Sequence, residues 1–157
     1  MEPALKPAQE ARHGGEILVL ATQATLTLPK FQRLMKRYGD HVIPVVGRGL
    51  VELVEAGKAD SPETEAALRE LLGKYVGRSI DSVVLGCTHY PFAAKAISRV
   101  LGSGVALLDG GDGTARETRR RLAEAGLLEN GTGEVILTNS LPDESILELS
   151  RKLLDEK

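Results

Sequence analysis

The chain reads as an α/β protein whose mostly parallel sheet carries helices on both faces. Three observations predict this class: short continuous apolar runs with β-branched members, amphipathic stretches of helical period, and the repeated alternation of the two. Continuous rather than alternating apolar runs belong to strands covered on both sides, as parallel strands are. A length of 157 residues with 42% hydrophobic content suits one ordinary globular core.

The elements follow in order. Glu16 to Ala21 is an apolar run that reads as a buried strand. Pro29 to Tyr38 places Phe31, Leu34, Met35 and Tyr38 at helical spacing, with Gly39 where a C-terminal cap belongs. His41 to Val46 reads as a second strand, and Pro44 assigns it to an edge or a strand end. Leu50, Leu53 and Val54 predict a short helix stopped by Gly57. Ser61-Pro62 opens a longer helix with a capping hydroxyl followed by proline, and Ala67, Leu68, Leu71, Leu72 and Tyr75 form its apolar face.

Asp81 to Leu85 is the next strand, leading through a polar turn at Gly86 to Pro91 into a helix from about Phe92 to Leu101. Two further strand and helix pairs are expected: Val105 to Leu108 with Thr114 to Ala125, then Val135 to Thr138 with Pro142 to Leu154. Gly102 to Gly104 and Glu129 to Gly133 read as loops, and Asp109 to Gly113 as the most flexible stretch and the expected hinge or domain boundary. That glycine run contains neither G-x-G-x-x-G nor a G-K-[ST] ending, so a phosphate loop is set aside.

Composition narrows the function classes. Twenty Lys plus Arg against 22 Asp plus Glu leave a net charge of -2, with no basic excess for nucleic acid or anionic membrane, so a small solute is the expected partner. A single cysteine rules out an intramolecular disulfide framework and a cysteine-based zinc cluster; no metal is expected. Aromatic content of 3% without Trp argues against a base-stacking surface. No basic-apolar leader or long apolar stretch is seen, and a soluble cytoplasmic protein is expected.

Cys87, Thr88 and His89 are the residues with chemistry to offer. They stand at a carboxyl strand end, where open α/β sheets bind ligands, and the helix beyond the turn is expected to present backbone donors to a carboxylate. A thiol acts as base or nucleophile only as thiolate. His89 is two residues away, in range to relay a proton or hold a nearby charge, and Thr88 adds a hydroxyl and an amide. The bland alternative makes Cys87 a small core hydrophobe and His89 an ordinary loop residue.

The string Gly86-Cys87-Thr88-His89-Tyr90-Pro91 resembles the second cysteine motif of the glutamate racemases, within the aspartate/glutamate racemase family. Ala21-Thr22-Gln23-Ala24-Thr25 resembles that family's strand-end Thr motif, and Glu2 to Ala8 the segment crossing from its first domain into its second. The resemblance implies half of a two-domain racemase architecture: residues 1–108 as the second domain with the Cys87 motif, and 109–157 as a segment that in the family returns to the first domain. It also implies cofactor-independent, two-base interconversion of L- and D-glutamate, supplying D-glutamate for peptidoglycan. One cysteine thiolate takes the α-proton and a second thiol on the opposite face returns one. On this basis Cys87 is one base, His89 assists it, and Thr88, Thr22 and Thr25 hold the substrate. Glu55, in Leu53-Val54-Glu55-Ala56-Gly57, matches a family stretch whose acidic residue lies near this cysteine. The plain alternatives are turn hydroxyls for the two threonines and a solvated helix carboxylate for Glu55.

The departures are equally specific. Neither an Asp-Ser-Gly opening motif nor a first Cys-Asn-Thr motif is present, and Val46-Gly47-Arg48 stands where the family usually carries a Cys-Pro-like strand end. One cysteine cannot supply both bases. The expectation is therefore a C-terminal racemase half, inactive without an N-terminal half. The alternatives are a homodimer opposing two copies of Cys87, and a non-enzymatic interaction module using an exposed apolar face. A thiol hydrolase is disfavoured because no orienting Asn or Asp is identifiable in the sequence.

Overall fold

The computed structural model describes residues 2–129, 133–141 and 143–155. It divides into two compact units, residues 1–114 and 115–157.

The first unit is built on a four-stranded, wholly parallel sheet of order β2-β1-β3-β4. The strands are β1 (Glu16–Ala21), β2 (Val42–Val46), β3 (Ile80–Leu85) and β4 (Ala106–Leu108). β1 and β3 are central and almost wholly buried, which is why Ile17 to Ala21 and Val83 to Leu85 are continuous apolar runs. β2 takes an edge, as Pro44 requires, since proline has no N–H for a central ladder. His41, expected within that strand, instead turns the chain into it with φ at 60°.

Alternate side chains of the strands feed two cores. Leu18, Leu20, Val45, Val83 and Leu85 pack under α4 (Leu50–Glu55), α5 (Pro62–Leu72) and α6 (Ala94–Leu101). Ile17, Val19, Ala21 and Val84 pack on the opposite face against α1 (Glu2–Glu10), α2 (Gln23–Thr27) and α3 (Pro29–Tyr38). The fold class expected from the sequence, an α/β sheet with helices on both faces, is the one observed.

Local signals act as expected at α3, which starts at Pro29 and ends before Gly39, and at α5, where the Ser61 hydroxyl accepts from the Thr64 amide at 3.2 Å. Helix α1 is absent from the sequence reading; Ala4, Leu5 and Ala8 bury one face of it despite Pro7 in its interior. The expected helix from Phe92 is also altered. A 3₁₀ turn, Tyr90–Ala93, follows the Cys87 turn and only then does α6 begin, so the donors nearest Cys87 belong to turns rather than to an α-helix terminus.

Helix α7 (Gly111–Glu124) starts three residues before the expected Thr114, inside the glycine-rich stretch. Asp109 favours the early start by accepting from the Gly111 amide at 2.6 Å.

In the second unit, α8 (Glu144–Asp155) buries none of its described residues. The strand expected at Val135 to Thr138 does not form: described residues 133–139 have no regular structure, and Val135 and Ile136 are each 72% exposed. A three-residue apolar run with no neighbouring ladder leaves its backbone to water. Residues 130–132 of the expected loop, and Pro142 of the expected last helix, lie outside the described residues. No described helix is long and apolar enough to cross a membrane.

Candidate active site

Parallel strands bring their carboxyl ends to one edge, and the candidate residues gather there. Ala21 is in register with Val46, and Leu20 with Leu85. The ladder extends one residue further on each side: the Gly47 amide donates to Ala21 O at 2.9 Å, and the Gly86 amide to Leu20 O at 2.8 Å. Thr22, Gly47 and the Gly86–Cys87 turn thus leave the sheet side by side, at the place where open α/β sheets receive ligands.

Three of the expected residues form a chain of contacts. The Cys87 sulfur lies 3.7 Å from His89 Nδ1, and His89 Nε2 lies 3.2 Å from Glu55 Oε1. Cys87 is half-buried against the α4–α6 core, whereas the Glu55 side chain is 62% exposed. Glu55 is the last residue of α4, whose Leu50 and Val54 are buried beneath it. A thiol, an imidazole touching it and a carboxylate holding the far ring nitrogen is the arrangement that orients an imidazole beside a reactive group. Glu55, expected from the resemblance as an acid near this cysteine, is the carboxylate at the far ring nitrogen.

The threonines form a second, local group. Thr22 Oγ1 caps α2 by accepting from the Thr25 amide at 3.2 Å, and lies 2.9 Å from Thr25 Oγ1. This is the turn-hydroxyl arrangement weighed for them, formed at the edge that carries Cys87. Thr25 also lines an open groove with Leu28, Phe31, Arg33 and Arg37. Thr88 is exposed on the turn between Cys87 and His89.

Tyr90 has a larger part than its place in the motif indicated. It is fully buried, and its hydroxyl donates to the Gly47 carbonyl at 3.1 Å. Burial pushes its phenol up to about 12, with negative charge at Cys87 and Glu52 adding to the effect. A Cβ at residue 47 would collide with that hydroxyl, so glycine at this departure from the family pattern leaves room for the phenol. A signal was present in sequence, a tyrosine directly before a proline in a polar turn, but its partner 43 residues away was not.

The chain is similar to known proteins over its whole length. A glutamate racemase of Clostridium perfringens (strain SM101 / Type A) is 47% identical to the whole of this chain, which spans 62% of that relative's length. Among solved structures, the glutamate racemase of Thermus thermophilus in complex with β-chloro-D-alanine superposes with a TM-score of 0.70 at 33% identity, covering 96% of this chain and 57% of that one. The Escherichia coli glutamate racemase in complex with L-glutamate and the activator UDP-MurNAc-Ala gives 0.71 at 27% identity, covering 94% and 58%. The Asp/Glu/Hydantoin racemase family model matches residues 1–118, which include every described strand and every candidate residue named above, and the chain belongs to that family.

Proposed function

We propose that this chain supplies one face of a glutamate racemase site, with Cys87 as one of two proton-transferring bases. The supporting observation is the run of contacts from Cys87 through His89 to Glu55 at the carboxyl edge of the sheet. As thiolate, Cys87 would take the α-proton of glutamate, or as thiol return one. His89 stands between Cys87 and the Glu55 carboxylate, where its ring can hand a proton on or take one. Thr88, Thr22 and Thr25 offer hydroxyls and turn amides for the substrate carboxylates. No step of this chemistry calls on a cofactor, and its product, D-glutamate, is a peptidoglycan precursor.

Racemisation needs a second acid on the opposite face of the substrate. With one cysteine in 157 residues, that thiol must come from sequence outside this chain or from a second copy of it. Exposed Leu127, Val135, Ile136 and Leu141 after α7 give such a complement apolar surface to cover.

The test is α-proton exchange of D- and L-glutamate in deuterated buffer, followed by proton NMR, with Cys87→Ala as control. The chain alone is expected to be inactive. Adding the region that its longer relatives carry beyond the aligned span should start exchange in the wild type and not in Cys87→Ala. Exchange that survives Cys87→Ala, or none after complementation, refutes the assignment; exchange by the chain alone that rises with dimer population makes the second copy the source of the other base.

A further inference from the structure

We propose that Tyr90 is the positioning residue of the Cys87–His89–Glu55 chain: it ties the turn bearing the thiol and imidazole to the loop that leads into the helix bearing the carboxylate. The inference rests on the reading of Cys87 as a reactive thiol assisted by His89.

Tyr90 grips both pieces. Its amide donates to the Cys87 carbonyl at 3.2 Å, closing the turn that carries Cys87 and His89. Its hydroxyl reaches across the sheet edge to the Gly47 carbonyl at 3.1 Å, at the start of the loop that enters α4. Its ring lies in the same core cluster as Leu50, the first residue of α4. Helix α4 has only six residues and no side-chain cap at its Gly49 start, so its placement depends on such tertiary contacts.

Glu55 closes the circuit from the other end. With a largely exposed side chain, its contact with His89 competes with water and persists only while α4 is held at the right distance. The space at Gly47 fits the same role, because a Cβ there would meet the phenol of Tyr90. Tyr90 touches none of the reacting atoms in this arrangement; it acts through the distance between Glu55 and His89.

Alkylation of Cys87 by iodoacetamide, measured against pH, tests this without requiring racemase activity, and the chain has no other thiol to confuse the signal. Glu55→Gln should lower the rate and alter its pH profile by removing the carboxylate that holds the far nitrogen of the His89 ring. Tyr90→Phe keeps the ring and removes the hydroxyl, and should reproduce that profile with a rate loss of about fivefold, the population change expected for one buried hydrogen bond. The double variant should lose no more than either single variant, since both act on one contact.

A wild-type profile in Tyr90→Phe alongside an altered one in Glu55→Gln overturns the inference, as does full additivity in the double variant. A Glu55→Gln profile identical to wild type overturns both the inference and the assisted-thiol reading beneath it. If Tyr90→Phe does not fold, Gly47→Ala decides: its Cβ should displace the phenol and give the Glu55→Gln profile, and a wild-type profile there refutes the role of Tyr90.

Discussion

Asp81 and Gly15 are locked together at the amino edge of the sheet, the end away from Cys87. Asp81 Oδ2 accepts from the Gly15 amide at 2.9 Å and the His13 amide at 2.6 Å, while a Cβ on Gly15 would come within 2.5 Å of the same carboxylate. The start of β3 thereby fixes the entry of the chain into β1. Asp81→Ala should cost about 2 kcal/mol, the scale for hydrogen bonds to a charged acceptor, and leave the Cys87 alkylation profile unchanged. Urea denaturation and the thiol assay together check both halves of that statement.

Thr22 carries a stability role as well as its proposed substrate role. Thr22→Ala removes the cap of α2 and should cost about 1 kcal/mol, while Thr22→Ser should recover most of it. Equal midpoints for the alanine and serine variants in thermal denaturation would contradict the cap.

Ser82 offers a change in the opposite direction. Its hydroxyl, in the interior of β3, is buried with no hydrogen-bond partner, and the residue is 3% exposed. Ser82→Ala removes an unsatisfied polar group at little loss of volume and should stabilise the fold by about 1 kcal/mol. A lowered denaturation midpoint would mean that the hydroxyl has a partner after all.

Leu5 tests the helix that the sequence reading missed. It is fully buried between α1 and the sheet, so Leu5→Ala should cost about 2 to 5 kcal/mol by loss of transfer energy and creation of a cavity. A loss below about 1 kcal/mol would show that α1 contributes little to this core.

Tyr90 governs the alkaline limit. Its folded pKa, pushed up to about 12, lies above the value near 10 of an unfolded chain, so the stability it contributes is complete below about pH 10 and is lost as pH rises through 12. Tyrosinate absorbance should show one of the three tyrosines ionising last, together with loss of helical circular dichroism, and Tyr90→Phe should remove that late step.

What could be read in advance follows the range of the forces involved. The apolar runs of the four sheet strands, the Ser61-Pro62 start and the Gly39 stop are local signals, and they appear close to where they were expected. Helix α1 was obscured by Pro3 and Pro7, because its stability comes from packing Ala4, Leu5 and Ala8 rather than from propensity. Val135 to Thr138 had a strand-like composition but no ladder to join. At the site, Cys87 and His89 share a turn and were legible together, whereas the meetings of His89 with Glu55 and of Tyr90 with Gly47 span 34 and 43 residues and depend on how α4 folds back over the sheet.

The two borders of the sheet bear on how this chain behaves in a crowded solution. β2 carries Pro44, which has no N–H to lend to an incoming strand, and β4 is three residues long. Neither border is a good template for strand addition, so copies of the chain should resist growing into a shared sheet even at the concentrations of an overexpressing cell. Association, where it occurs, is directed to side-chain surfaces, and its products should dissolve in mild denaturant rather than persist as fibres.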